Sequence, residues 1–416
     1  MSILGGELWR HGDFLRLWSA QAVSAFGARI TREGLPLAAV MTLDAEPAQL
    51  GVLAALSMGP GLVVGLLAGG FVDRSRRRTI LIGADLARFA VLMTVPLAAW
   101  LTLLSIEQLY IVAALVGAAS VLFDLADNAF LPGLVGPDQL MEGNSKLGVT
   151  DSTAEIGGPA LAGLLFQGLT APFAIAVNAA TYLASALLLG GIRAAEPPPQ
   201  ASSGPQHPGR DLADGWRAIM ARPLVRPLLF MTMAQTLFFS FFAGLYALWA
   251  LRHLGISPAA LGLVIAVGGV GALLGALLAP WMTRLLGIGP AIVVCGVVSG
   301  LSAFLIPLAP ADPAGGVAFM AAAQLLGDSF GLAAMIPATT LQQTVIPSAL
   351  LGRTGAIFHI ARGGLAVIGA LLGGALAGSI GVRETLLVAC AGVTLAPAIL
   401  LASPLWRTRE ISPPAS

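Results

Sequence analysis

Charge is what this sequence has least of. Asp, Glu, Lys and Arg make up 10% of its 416 residues, against 57% hydrophobic residues and a mean hydropathy of +0.87. A water-soluble fold carries about a quarter charged residues, so the solvent implied here is lipid. Each spanning helix takes roughly 20 apolar residues, which leaves room for about a dozen helices and their connections and none for a large soluble domain. Lysine occurs once, at Lys146, and no Gly-x-x-x-x-Gly-Lys-Ser/Thr loop surrounds it, so no nucleotide-driven engine is encoded. The net charge is only +1 and the basic residues sit in short loops, which speaks against a nucleic-acid partner. Cys295 and Cys390 fall in apolar runs and read as small buried hydrophobes rather than a disulfide. His11, His207, His253 and His359 are scattered, with no His-Glu-x-x-His or Cys-x-x-Cys spacing, so neither a metal centre nor an enzyme active site is expected. The N-terminus has no short apolar core ending at a small-residue cleavage site, and the first hydrophobic stretch is expected to remain as a helix.

What is present is a regular series of apolar runs. Six lie at roughly 15–43, 49–72, 79–102, 107–131, 147–168 and 173–192, and six more at roughly 224–250, 259–283, 288–308, 315–343, 354–379 and 383–403. The expected fold is therefore an all-α polytopic membrane protein of twelve transmembrane helices in two six-helix bundles, residues 1–192 and 224–416. Residues 193–223 form a linker between them, with Pro197-Pro198-Pro199 and Ser202-Ser203-Gly204 in a stretch that cannot bury a core. Within that linker, Asp211 to Met220 suits a short amphipathic helix with Trp216 at the membrane interface. If the N-terminus is cytoplasmic, the inner segments hold most of the arginines and the outer loops only Arg252 and Arg383. That asymmetry predicts both termini inside, in the inner membrane of a cell.

The halves resemble each other. Leu50-Gly51 followed by Gly65-Leu66-Leu67-Ala68 recurs as Leu261-Gly262 followed by Ala276-Leu277-Leu278-Ala279. Val135-Gly136-Pro137 with Leu140 recurs as Val345-Ile346-Pro347 with Leu350, as expected of internal repeats. Glycines at four-residue spacing, Gly61-Gly65-Gly69, Gly271-Gly275 and Gly374-Gly378, make smooth helix faces on which another backbone can pack; static packing accounts for them, and moving bundles would use the same faces. Pro60, Pro159 and Pro337 each remove an internal hydrogen bond and invite a kink.

At the end of the second run stands Gly69-Gly70-Phe71-Val72-Asp73-Arg74-Ser75-Arg76-Arg77-Arg78. This resembles the signature loop of the major facilitator superfamily, with Arg76 where the family usually has a second Gly. Phe123 to Pro132 and Gly158-Pro159-Ala160-Leu161-Ala162-Gly163 are similar to the fourth and fifth helices of its drug, macrolide and siderophore efflux branch, although Ala154 replaces an upstream Gly. The resemblance covers nearly the whole chain. It implies alternating access by a functional monomer, export driven by the proton gradient with no other cofactor, and a cavity lined by the first, fourth, seventh and tenth spans. It also makes Gly158, Pro159 and Gly163 the exporter packing motif.

Charges inside apolar runs are costly and functional by default. The first span carries Arg29, Arg32 and Glu33. Arg29 and Glu33, four apart, could pair, which leaves Arg32 needing an acid elsewhere. Asp328, one turn after Gln324, lies inside the tenth span, and Glu33 or Asp328 could carry the coupling proton. Gln21, Phe123, Gln235, Phe239 and Tyr246 complete the expected substrate and proton cavity; the aromatic run of the seventh span suits a bulky amphipathic substrate. A second group is placed near the cytoplasmic surface: Arg88, Asp124, Asp127, Asp151 and Glu155 with the loop residues Gly69, Asp73, Arg74, Arg77 and Arg78. By the resemblance these form a conformational latch, with Asp73 at the start of the eleventh helix near Thr354 and Arg77 paired with Asp127 or Asp124. The function read from this is a non-enzymatic secondary transporter exporting a lipophilic small molecule. An importer or lipid flippase of the same fold and a non-transporting membrane sensor remain the alternatives.

Overall fold

The computed structural model describes residues 7–194, 196 and 208–409, with the side chains at 7, 69, 70, 73, 129, 137, 208 and 349 outside the description. The described residues form helices joined by short turns: α1 (Gly12–Thr42), α2 (Pro47–Leu67), α3 (Gly69–Arg74), α4 (Arg77–Trp100), α5 (Ile106–Leu134), α6 (Leu140–Gly168), α7 (Ala171–Gly190), α8 (Pro208–Met220), α9 (Arg226–Phe239), α10 (Leu245–Leu248), α11 (Pro258–Leu286), α12 (Ile288–Ala303), α13 (Pro313–Val345), α14 (Ser348–Ile380) and α15 (Val382–Leu395). Local chemistry sets several starts. The side chains of His11, Ser105, Ser257 and Asp312 accept first-turn N–H groups of α1, α5, α11 and α13, the capping that orphan donors require. Gly287 (φ 86°) and Gly381 (φ 99°) turn the chain between α11 and α12 and between α14 and α15, a region open to glycine at no steric cost.

Among the described residues nine helical segments are long and apolar enough to cross a membrane, and Ile288–Ala303 is a shorter apolar helix. The helices α1 and α6 are outside the nine, although they run 31 and 29 residues; both carry ionisable groups along their length. Large apolar side chains face outward, among them Leu67, Trp100 (82% exposed) and Leu277. Such a surface is stable against lipid tails and not against water.

The chain divides into two compact units, Met1–Ala45 with Leu56–Gly204, and Glu46–Ala55 with Pro205–Ser416. In the first, α1 packs against α6 and α7, and α4 against α5 and α7. Phe14, Leu17, Leu81, Phe123, Phe130 and Leu189 share a buried core there. In the second, α13 packs on α11 and α12, α14 on α8 and α9, and α12 on α15. The glycine faces are filled by backbone. A Cβ on Gly271 would stand 2.6 Å from the Leu325 carbonyl oxygen, one on Gly61 3.2 Å from that of Gly117, and one on Gly374 2.8 Å from the Cα of Gly51. The helices continue through Pro60, Pro159 and Pro337.

One apolar run departs from the expected single helix. The stretch at 224–250 is α9, a 3-10 turn Ser240–Phe242, α10 and a π turn Trp249–His253. Gly244, at φ 78°, makes the break, and a Cβ there would stand 2.9 Å from that of Leu50. Ser240 donates its hydroxyl to the Thr236 carbonyl (2.8 Å), and Trp249 donates its indole N–H to that of Ile306 (2.9 Å). Side chains thus satisfy carbonyls around the break, as a membrane setting demands.

Candidate functional site

The first unit contains a connected polar constellation. At its centre Arg88 of α4, 2% exposed, is ion-paired with Asp85 one turn earlier. Its guanidinium lies 4.4 Å from the ring centroids of both Phe123 on α5 and Tyr182 on α7. A desolvated guanidinium between two aromatic faces is held by their quadrupoles as well as by its carboxylate. Arg88 also reaches Ser24 Oγ of α1 at 3.4 Å, and Gln21 of α1 donates to Asp127 of α5. Further along α1, Thr31 accepts from Asn178 Nδ2 (2.7 Å) and shares a hydrogen bond with the Tyr182 hydroxyl (3.2 Å).

Beyond this lies the charge cluster of α1 and α6. Arg29 pairs with Glu155, while Arg32 bridges Glu33 (3.0 Å) and Glu155 (3.1 Å). The expected partnership is therefore exchanged: Arg29 is held by Glu155, and Arg32 takes Glu33. The reason is the Gly-Pro motif. Gly158 is packed against Arg29, whose Cγ would lie 2.9 Å from a Cβ there, so α1 approaches α6 closely and presents Arg29 to the acid one turn before that glycine. Pro159 in turn denies the Glu155 carbonyl its i+4 donor, and Gly158, Pro159 and Gly163 are all buried. The four charged side chains are 24–49% exposed, although Arg29 stands about four turns inside α1 from Leu15.

The grouping expected at the cytoplasmic surface is redistributed. Arg88 lies about three turns into α4 from Arg77, inside the bundle, and Glu155 belongs with Arg29 and Arg32. Phe123, expected as cavity lining, is a buried wall of the Arg88 site. Asp124 and Asp151 are close enough to interact electrostatically with each other and with Arg29. Arg78 donates to the carbonyls of Leu189 (2.9 Å) and Gly190, a cation at the C-terminus of α7. Glu196 meets the start of α4, its Oε1 accepting the backbone N–H of Arg77 (2.5 Å) and its Oε2 that of Arg78 (3.3 Å). Arg74 ends α3. The Asp73 side chain and the surroundings of Gly69 lie outside the described residues, and Thr354 donates its hydroxyl to the Leu350 carbonyl of its own helix (3.0 Å). At the start of α1, burial pushes the Asp13 carboxyl up, but N–H groups of Arg193 and Ala194 and the Arg16 side chain outweigh it and hold the pKa below its ordinary value.

In the second unit the expected residues do not converge on one cluster. Asp328 and Gln324 face Gly268 of α11, where a Cβ would stand 3.3 Å from Gln324 Nε2. Gln235 faces Gly296, 3.7 Å from a Cβ at that position. Phe239 is largely exposed at the end of α9, and the Tyr246 hydroxyl is buried on α10. Ser329 instead ties α13 to α11 by donating to the Gly271 carbonyl (2.9 Å).

Sequence reasoning missed the polar face of α7. Asn178, Tyr182 and Ser185 are buried, and their spacing of four and three residues on an otherwise apolar helix was the available signal. It also missed Lys146. This buried side chain pairs with Glu142 (3.4 Å) and lies 4.0 Å from the centroid of the Trp9 ring, closing the N-terminal 3-10 turn onto α6.

The sequence model of a family described as transmembrane secretion effector matches residues 8–415. An uncharacterized MFS-type transporter, YfiS, of Bacillus subtilis (strain 168) is 26% identical over 384 residues, covering 90% of this chain and 89% of that protein. The enterobactin exporter EntS of Citrobacter koseri is 26% identical over 380 residues, 90% and 86% of the two chains. Among solved structures, the nucleoside transporter NupG superposes with a TM-score of 0.76 at 14% identity, covering 94% of this chain and 98% of that one. A bacterial homologue of ferroportin in an inward-facing state gives 0.76 at 18% identity, covering 95% and 99%. These identities speak to the fold alone.

Proposed function

Because the chain belongs to the transmembrane secretion effector family, we propose that it is a proton-coupled exporter of a lipophilic or amphipathic small molecule, working by alternating access. It is a multi-pass membrane transporter of the major facilitator type, not an enzyme, and an exporter stands among its relatives. The twelve-span reading adds α1, α6 and α12 to the nine apolar spans, because charges in the first two and the shortness of the third hide them from a criterion of length and apolarity. The arginine asymmetry supports both termini in the cytoplasm and a place in the inner membrane. One chain suffices as the working unit, and the proton gradient as its energy source.

The observation that carries this reading is the half-exposed cluster of Arg29, Arg32, Glu33 and Glu155. Ionised groups this far along a spanning helix need water as well as partners, so they line a wet cavity. Glu155 holds both arginines. A proton on its carboxylate breaks two ion pairs at once, and loss of that proton restores them, so its occupancy can bias which arrangement of α1 and α6 is stable. Glu33 and Asp328 are the other carboxylates proposed to carry the coupling proton, with Gln21, Gln235, Phe239, Tyr246 and Gln324 in the substrate path. The signature loop, with Asp73, Arg74, Arg77 and Arg78, is proposed as the conformational latch. The kinship with an enterobactin exporter supports the outward direction.

The test is compound accumulation in cells lacking or overproducing the protein, with and without a protonophore. We expect overproduction to lower accumulation of at least one amphipathic compound and the protonophore to abolish that effect. Glu155→Gln or Glu33→Gln should remove the protonophore-sensitive part while leaving protein in the membrane. Unimpaired efflux by Glu33→Gln, Glu155→Gln and Asp328→Asn would overturn the proton assignment, and an effect untouched by the protonophore would overturn the coupling.

A further inference from the structure

Helix α8 carries Arg210, Asp211, Asp214 and Arg217, and the fold sorts these charges by sign. Both aspartates turn toward α14, where Asp211 Oδ1 lies 2.9 Å from Arg353 Nε and Asp214 Oδ2 3.3 Å from Arg353 Nη1. Gly215 brings the two backbones together, since a Cβ there would stand 2.5 Å from the Arg353 carbonyl oxygen. Ala218 and Ile219 are buried, Ile219 in a core with Val225, Leu228, Ile346 and Phe358. Arg222 closes the helix by donating to the Ala218 carbonyl at 2.6 Å. This face of α8 is accounted for.

The opposite face is not. Arg210, Ala213, Trp216 and Arg217 are exposed, Trp216 by 45% and the Arg217 side chain by 76%. At 3.6 residues per turn they span a continuous arc of about 120°. Arg217 has Asp214 of its own helix at 3.4 Å, a contact worth little at that exposure. We propose that this face is a docking surface for anionic phospholipid headgroups of the cytoplasmic leaflet, on the orientation argued above. Charge and shape commit it to that occupant. Guanidinium groups match phosphate oxygens in a fork geometry, and an amphipathic indole at their edge settles at headgroup level. With its half-exposed acids engaged by Arg353, α8 turns Arg210 and Arg217 to the membrane. Lipid held there would steady α14 through the Arg353 pairs.

The experiment uses the full chain with Ala213→Cys carrying a fluorophore, the native Cys295 and Cys390 being buried. It is reconstituted in phosphatidylcholine vesicles containing spin-labelled phosphatidylglycerol or spin-labelled phosphatidylcholine as quencher. We expect the anionic quencher to be several times more effective, added salt to shrink the difference, Arg210→Gln and Arg217→Gln each to lower the preference, and the double variant to abolish it. Arg284→Gln, on another helix, should leave it unchanged. Equal quenching by the two lipids, or a preference retained in the double variant, would overturn the proposal. So would a label that neither lipid quenches, the result expected if an acidic protein is the true occupant. The readout is lipid contact, so its failure is distinct from a failure of the export reading.

Discussion

The two units are built from helices of similar length, and each uses both glycine contacts and ion pairs, but in different proportion. The first concentrates its ionisable groups: Arg88 with Asp85 between two rings, then Arg29, Arg32, Glu33 and Glu155 along α1 and α6. The second lets backbones touch, with Gly271 and Gly275 against α13 and Gly369 and Gly373 against α9 and the turn after it. In lipid there is no hydrophobic drive between helices, so association rests on close packing or on polar contacts. On the proposed function, a unit that admits water and a proton carries charge, and glycine contact suits a unit whose helices need only fit.

The contrast is sharpest at Arg88. Asp85→Asn should leave a buried guanidinium without its carboxylate at a cost of about 3–5 kcal/mol, read as loss of the thermal transition of purified protein and low yield in the membrane. The matching injury in the second unit is steric. Gly271→Leu drives a side chain into the Leu325 carbonyl and should cost about 1–3 kcal/mol, with no change in the pH dependence of efflux. If Gly271→Leu altered that pH dependence while Asp85→Asn left stability intact, the division of labour would be wrong.

Smaller effects sharpen the boundary between structural and working charge. Glu155→Gln removes a half-exposed partner of two arginines and should change stability by less than about 1 kcal/mol while abolishing coupled efflux. Loss of stability on the scale of Asp85→Asn would move Glu155 into the structural class. The least effect is expected at Asp13. Its folded pKa lies below the ordinary value, set chiefly by burial that raises it and by Arg193, Ala194 and Arg16 that more than reverse it. Its contribution is therefore full above about pH 4–5, where the unfolded carboxyl is ionised, and is lost as pH falls through the folded pKa. Asp13→Asn should flatten that acid limb of the melting curve, and an unchanged limb would show that the carboxylate does not hold residues 193–194.

Composition and period decided much here. Scarce charge fixed the solvent as lipid, apolar runs located most of the helices, and the Gly-x-x-x-Asp-Arg and Gly-Pro stretches pointed to the family, because each follows from residues close together in the chain. Helix caps at Ser105, Ser257 and Asp312 are equally local. The break at Ser240–Gly244 was hidden because its residues are as apolar as their neighbours. Partnership was decided elsewhere. Four-residue spacing put Glu33 within reach of Arg29, yet the missing Cβ of Gly158 lets α6 come close enough for Glu155 to take that arginine. Arg88 lies between the rings of Phe123 on α5 and Tyr182 on α7, both distant from it in the chain. On α8, the sequence shows two acids and two bases; only docking on α14 engages the acids with Arg353 and leaves the bases on the other face. An ion pair forms wherever the fold brings opposite charges together at the lowest desolvation cost, and that cost is a property of three-dimensional surroundings which no local spacing records.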